Sequence, residues 1–214
     1  MTLQDWLATP VIVALPDIHG QREARLQAEF LLRQPGLVKT FFIEYESTAS
    51  TSDPVLQHDY GRLLNAAISE MLDRGTSATV ARRVLPSYFS RLNPADAQPS
   101  LVSLAATAIG NGVQVLAADM DYAAAVDELA KEALAPINLF LSAGLSIRDR
   151  AASRTIANYL GVATAAASGR LMLWGANHFT ENTATESYCD TRLQIHLAQL
   201  GLPVHVATAQ EMAP

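Results

Sequence analysis

Val11-Ile12-Val13-Ala14-Leu15-Pro16-Asp17-Ile18-His19-Gly20 decides the fold. Five apolar residues, three of them β-branched, run into a turn that carries Asp17 and His19, and a helical pattern opens directly after Gly20. An apolar run this short, bounded by Pro and Gly, reads as a strand buried on both faces, as in a parallel sheet. Polar groups at the exit of such a strand sit at the carboxyl edge of the sheet, where open α/β proteins bind ligands.

The pattern recurs along the chain. Thr40 to Glu44 reads as strand two and is followed by Tyr45-Glu46; Val113 to Ala118 is strand three, ending in Asp119-Met120-Asp121-Tyr122. Leu171 to Trp174 is strand four, followed by Gly175-Ala176-Asn177-His178, and Pro203 to Ala207 is strand five. Helical stretches separate them. Gly20 to Gln34 carries an apolar stripe of Leu26, Phe30 and Leu31, and Glu23, one turn ahead of Leu26, is expected on the sheet-facing side beside His19. Helices over roughly 55–73, 77–90 and 99–110 form an insert between strands two and three that suits a lid or pocket wall. Further helices fill 123–134, 137–145, 147–166 and 186–200. In the third of these, Ala152, Ile156, Tyr159, Leu160 and Ala163 form the apolar side. At about 100° per residue Arg148 falls on that side and Arg150 and Arg154 fall away from it. Strands alternating with helices predict one α/β domain over residues 1–214: a mostly parallel sheet with helices on both faces.

With 214 residues, 50% hydrophobic and 17% charged, the chain can bury a substantial core. A net charge of −6 without a basic run argues against nucleic acid. No apolar run is long enough to span a bilayer, and the first residues lack the charge and apolar pattern of a secretory signal. The expectation is a cytoplasmic protein, with export by a specialised secretion system left open. Cys189 is the only cysteine, which rules out an internal disulfide and a Cys-based structural zinc. Phosphate-loop, dinucleotide and Gly-x-Ser-x-Gly signatures are missing from the sequence.

Asp17, His19, Glu44, Asp119, Asp121 and His178 thus leave four strands at one edge, joined by Glu23 and Arg148 from helix starts. Such a set suits two chemistries. His19, His178, Glu44 and Asp17 could ligate a divalent metal that activates water. Alternatively, a His polarised by a carboxylate acts as base on water while Arg148 or the second His stabilises an oxyanion. Both lead to hydrolysis of a small-molecule substrate. Each residue also has a structural reading: Asp17 and Asp119 as helix caps, Glu44 in an ion pair with Arg148, His205 as a satisfied core residue. His58, His196 and His205 do not stand at a strand end as His19 and His178 do, and Cys189, in a polar loop or helix start, reads as incidental.

Asp17-Ile18-His19, Ile43-Glu44, Ala118-Asp119, Arg148-Asp149-Arg150 and Gly175-Ala176-Asn177-His178, in this order, resemble the superfamily of erythromycin esterases, ChaN-type haem-binding proteins and Tiki/TraB proteins. The likeness spans nearly the whole chain. His19-Gly20 with Glu23 and Arg148-Asp149 is most similar to the esterase branch, and the compact length to the ChaN branch. Pro16-Asp17 stands where those proteins usually have Gly-Glu, and the helical additions that enclose macrolides are missing from the sequence. The resemblance implies hydrolysis of an ester or amide-like bond, with His19 as base oriented by Glu44 or Asp17. His178 and Arg148 would bind the developing charge and Glu23 would assist. Asp119, Tyr45, Tyr122 and Asn177 are the substrate-binding candidates. Its alternatives are haem or iron held at this edge or between the subunits of a homo-oligomer, a Tiki-like metal site, and a translocated effector of the same fold.

Overall fold

The computed structural model describes residues 1–18, 21–46, 99, 101–120, 122–134, 142–161, 167–179 and 193–212. Its strands are β1 (Ile12–Asp17), β2 (Thr40–Glu46), β3 (Gln114–Asp119), β4 (Arg170–Gly175) and β5 (Val204–Val206). They form one sheet in the order β3-β2-β4-β1-β5, with every pair parallel. The described helices are α1 (Leu3–Leu7), α2 (Glu23–Leu32), α3 (Leu101–Gly110), α4 (Tyr122–Lys131), α5 (Ser142–Leu160), α6 (Leu193–Gln199) and α7 (Ala209–Met212). This is the α/β architecture with a parallel sheet that the apolar runs predict. Of the expected helical insert only α3 falls within the described residues.

Alternation along each strand builds two cores. Val13, Leu15, Phe41, Ile43, Leu171 and Leu173 pack towards α1, α2 and α3. Ile12, Ala14, Phe42, Met172 and Trp174 pack towards Ala152, Ile156 and Leu160 of α5 and Leu193 and Leu197 of α6. Both faces being covered explains why the strands read as continuous apolar runs. At the amino edge Gly169 adopts a φ of +80°. Its carbonyl accepts the N–H groups of Lys39 and Thr40 at 2.8 and 3.1 Å, and its own N–H donates to the Leu7 carbonyl at 2.8 Å. A Cβ there would sit 2.8 Å from the Leu37 carbonyl oxygen, so only glycine fits.

Two helices depart from the sequence reading. In α2 the buried side is Ala24, Arg25, Ala28, Leu31 and Leu32, whereas Leu26 and Phe30 are about half exposed. The small residues let the helix approach the sheet closely, and the large ones border a groove between α1, α2 and α7. The two helices expected around Ile147 are one continuous helix from Ser142, which puts Arg148 in its second turn. Arg150 and Arg154 are exposed, as the helical phase predicts, but Tyr159 is 41% exposed at the edge of the stripe. Among the described residues no helix is long and apolar enough to cross a membrane.

Candidate active site

β4 is the central strand, and its last residue, Gly175, lies level with Asp17 of β1. A short 3₁₀ turn, Ala176–His178, follows at once and folds His178 back into the protein. On the other side of β4, β2 stops pairing with it after Ile43, and the β2–β3 register shifts between Ile43 and Glu46. Irregularities of this kind re-aim side chains at sheet rims. Here the irregularity brings Glu44 over the end of β4.

Five ionisable side chains from four elements meet there: Glu44, Asp119, Arg148, Asp149 and His178, none more than 4% exposed. Arg148 forks onto Asp119, Nε to Oδ1 at 3.1 Å and Nη2 to Oδ2 at 2.5 Å, and its Nη2 also donates to Glu44 Oε1 at 2.7 Å. His178 lies between two carboxylates, its Nδ1 on Asp149 Oδ1 and its Nε2 3.3 Å from Glu44 Oε1. The second Glu44 oxygen accepts the Gly175 N–H at 2.6 Å. The edge of the Trp174 ring meets the His178 imidazole with centroids 6.0 Å apart.

Burial by itself would strip the proton from His178, but the Asp149 and Glu44 carboxylates outweigh it and push the imidazole up to about 10. It is therefore an imidazolium at neutral pH. Burial would raise Glu44, yet the His178 charge, then Arg148 and the Gly175 N–H, hold it well below the usual carboxylate range. For Asp149 burial dominates and raises it against the pull of His178 and Arg148. Glu44 and His178 are thus locked in their charged forms, and neither is poised to take a proton from water. A buried charged network of this kind contributes little net stability compared with apolar packing, and such networks concentrate at functional sites.

Glu44, Arg148, Asp119 and His178 are brought together as the strand ends predict. Glu44 and Arg148 form the ion pair that is its structural alternative, and Asp119 binds Arg148 and accepts the N–H of its neighbour Met120 at 2.8 Å. Asp149, quoted in the Arg148-Asp149-Arg150 motif, is the residue to which the sequence reading gave no role. Asp17 reaches the same edge but turns to the opposite face, where Arg25 grips it from Nε at 3.2 and 3.0 Å and from Nη2 at 2.8 Å. That buried pair replaces the capping role, and Arg25 was also missed. Glu23 does not join the group: it is exposed, accepts the Arg22 N–H at 2.9 Å and lines the α1–α2–α7 groove. The helix starts at Glu23, and it is Arg25 that points inward. Asn177 is exposed on the 3₁₀ turn. His205 is half-buried, 3.0 Å from Glu211 and stacked on Trp6 at 4.2 Å. His19, Asp121, His58 and Cys189, and the side chains of Tyr45 and Tyr122, lie outside the described residues.

Among the described residues no group of three His, Cys, Asp or Glu side chains is arranged to hold a metal ion. Both His178 nitrogens face carboxylates, which leaves neither directed at a haem iron.

Gly175 has a φ of −51°, open to any residue, so its constraint is space alone. A Cβ would stand 2.7 Å from Glu44 Oε2 and 3.4 Å from His178 Cδ2. Gly175→Ala is expected to lose about 1–3 kcal/mol of unfolding free energy in urea titrations, the usual scale of overpacking. An unchanged midpoint would mean that Glu44 does not sit against this backbone. No protein-family model, curated protein or solved structure matches the chain.

Proposed function

We propose that the protein is a hydrolase of ester or amide-like bonds, as the resemblance to the erythromycin esterase group implies. The supporting observation is that two cations, Arg148 and His178, both face one carboxylate oxygen, Glu44 Oε1, at the carboxyl edge of a parallel sheet. Two positive donors converging on an anionic oxygen suit the oxyanion that forms when water adds to a carbonyl. Asp149 and Glu44 keep His178 charged, and Asp119 fixes the Arg148 fork. The base must lie elsewhere, because His178 already carries its proton and Glu44, held by two cations and the Gly175 N–H, is too weak a base. His19, two residues beyond β1, takes that role in this reading. It removes a proton from water as the water oxygen adds to the carbonyl carbon. The tetrahedral adduct then collapses, the bond from that carbon to the alkoxy or amino leaving group breaks, and the proton passes to the departing oxygen or nitrogen.

The test is a panel of generic esters assayed with the wild type and His19→Ala. We expect measurable hydrolysis, lowered at least about a hundredfold in the variant, the low end for loss of a general base. Hydrolysis undiminished in His19→Ala would remove the base assignment. Hydrolysis undiminished in His178→Gln as well would remove the site.

A further inference from the structure

Glu44 occupies a cradle. Its Oε1 receives Arg148 Nη2 at 2.7 Å and faces His178 Nε2 at 3.3 Å, and its Oε2 receives the Gly175 N–H at 2.6 Å. These donors, among the described residues, belong to α5, the 3₁₀ turn and β4, so they are held by elements other than the strand that carries Glu44. Gly175 provides the room, since a Cβ there would fall 2.7 Å from Glu44 Oε2. The Glu44 side chain enters from the point where β2 leaves its ladder with β4. These are the parts of a carboxylate-binding site: a guanidinium, an imidazolium and a backbone N–H around one planar anion.

We propose that this cradle is a binding site for a small carboxylate, which the chain keeps filled with its own Glu44 side chain. The ligand class follows from the donor set and its shape. Two cations on one oxygen and an N–H on the other select a planar monoanion over a neutral amide or a spherical halide. Replacing Glu44 by Ala deletes one methylene and the carboxylate, a fragment the size and shape of acetate. The inference stands on the donors around Glu44 and shares Arg148 and His178 with the hydrolytic reading, in which a substrate oxyanion takes the place of Glu44 Oε1. Its test reads thermal stability, so its failure is distinguishable from a failure of ester hydrolysis.

The test is the thermal stability of Glu44→Ala in sodium acetate, with sodium chloride of equal ionic strength and neutral acetamide as controls. Ligand linkage predicts that, above the dissociation constant, Tm climbs by about 3–5 °C for each tenfold increase in acetate. Wild type, whose cradle is filled, and Glu44→Ala/Arg148→Met, which lacks the guanidinium, should show no such climb. If Glu44→Ala is unfolded in chloride, the proposal predicts recovery of its near-ultraviolet circular dichroism in acetate. Acetate acting no better than chloride overturns the proposal. So does acetamide matching acetate, a climb that survives in the double variant, or failure of acetate to restore an unfolded variant.

Discussion

Arg148→Met lowers the unfolding free energy by about 3–5 kcal/mol, the cost of removing one partner from a buried ion pair. Arg148 is wholly buried and joins two carboxylates, Glu44 and Asp119, that are themselves at most 4% exposed. Methionine fills much of the same volume, so the loss comes from charge. Two carboxylates would be left in a dry interior without the guanidinium between them, where a desolvated charge is worth several kcal/mol. Arg148→Lys should fall between the two, since an ammonium keeps the charge but cannot make the forked contact with Asp119 while reaching Glu44. Urea denaturation of the three proteins measures this directly. A methionine variant within 1 kcal/mol of wild type, or so, would mean that Glu44 and Asp119 do not depend on the guanidinium.

The second large effect is a loss of stability in mild alkali. The His178 imidazole titrates near 6.5 when unfolded and at about 10 in the folded protein, because Asp149 and Glu44 overcome its burial. Below about pH 6.5 it is charged in both states and its contribution is complete. From there to about pH 10 the unfolded chain has released the proton that the folded protein still holds, so stability falls by up to about 1.4 kcal/mol per pH unit. Above about pH 10 the contribution is gone. On the acid side Glu44 has the opposite sign. Its folded value is depressed, so its contribution is present above its ordinary 4.5 and is lost as the pH falls below that. Asp149, raised mainly by burial, gains from acid and softens that loss. Stability against urea should therefore peak between about pH 4.5 and 6.5 and decline steadily towards pH 10. In His178→Gln the alkaline decline should flatten. A wild-type profile level from about pH 6.5 to 10 would contradict the charged state of His178.

The sheet was legible because buried parallel strands announce themselves as short apolar runs, and polar residues at their exits mark the carboxyl edge. Glu44, Asp119 and His178 could be placed by that logic alone. Arg148 needed only the helical phase of Ala152 and Ile156. The same phase contained Asp149, which precedes Ala152 by three residues and Ile156 by seven, both buried on the α5 face. The motif Arg148-Asp149-Arg150 names it, but only Arg148 is given a role there, because the apolar stripe is used to orient the arginines alone.

In α2 the largest apolar residues were a poor guide. The buried side is built from Ala24, Ala28, Leu31 and Leu32 with Arg25 among them, while Leu26 and Phe30 face outward. Close helix–sheet packing favours small side chains, so the stripe drawn through Leu26 and Phe30 rotated the helix and put Glu23 on the wrong side. Asp17 illustrates a different limit. Its face follows from the two-residue period of Val13 and Leu15, which puts it on the α2 side, but the partner it meets there, Arg25, lies eight residues later on the next helix.

Nitrogen-15 and proton chemical shifts of the His178 ring most directly test the claim that the strand ends meet in one buried charged network. Assignment comes from the signal lost in His178→Gln. At neutral pH and up to about pH 9, both ring nitrogens should carry protons, with the Nδ1 proton shifted far downfield by Asp149 and that shift abolished in Asp149→Asn. A neutral ring at pH 7 that titrates near its ordinary value would show that the network does not form.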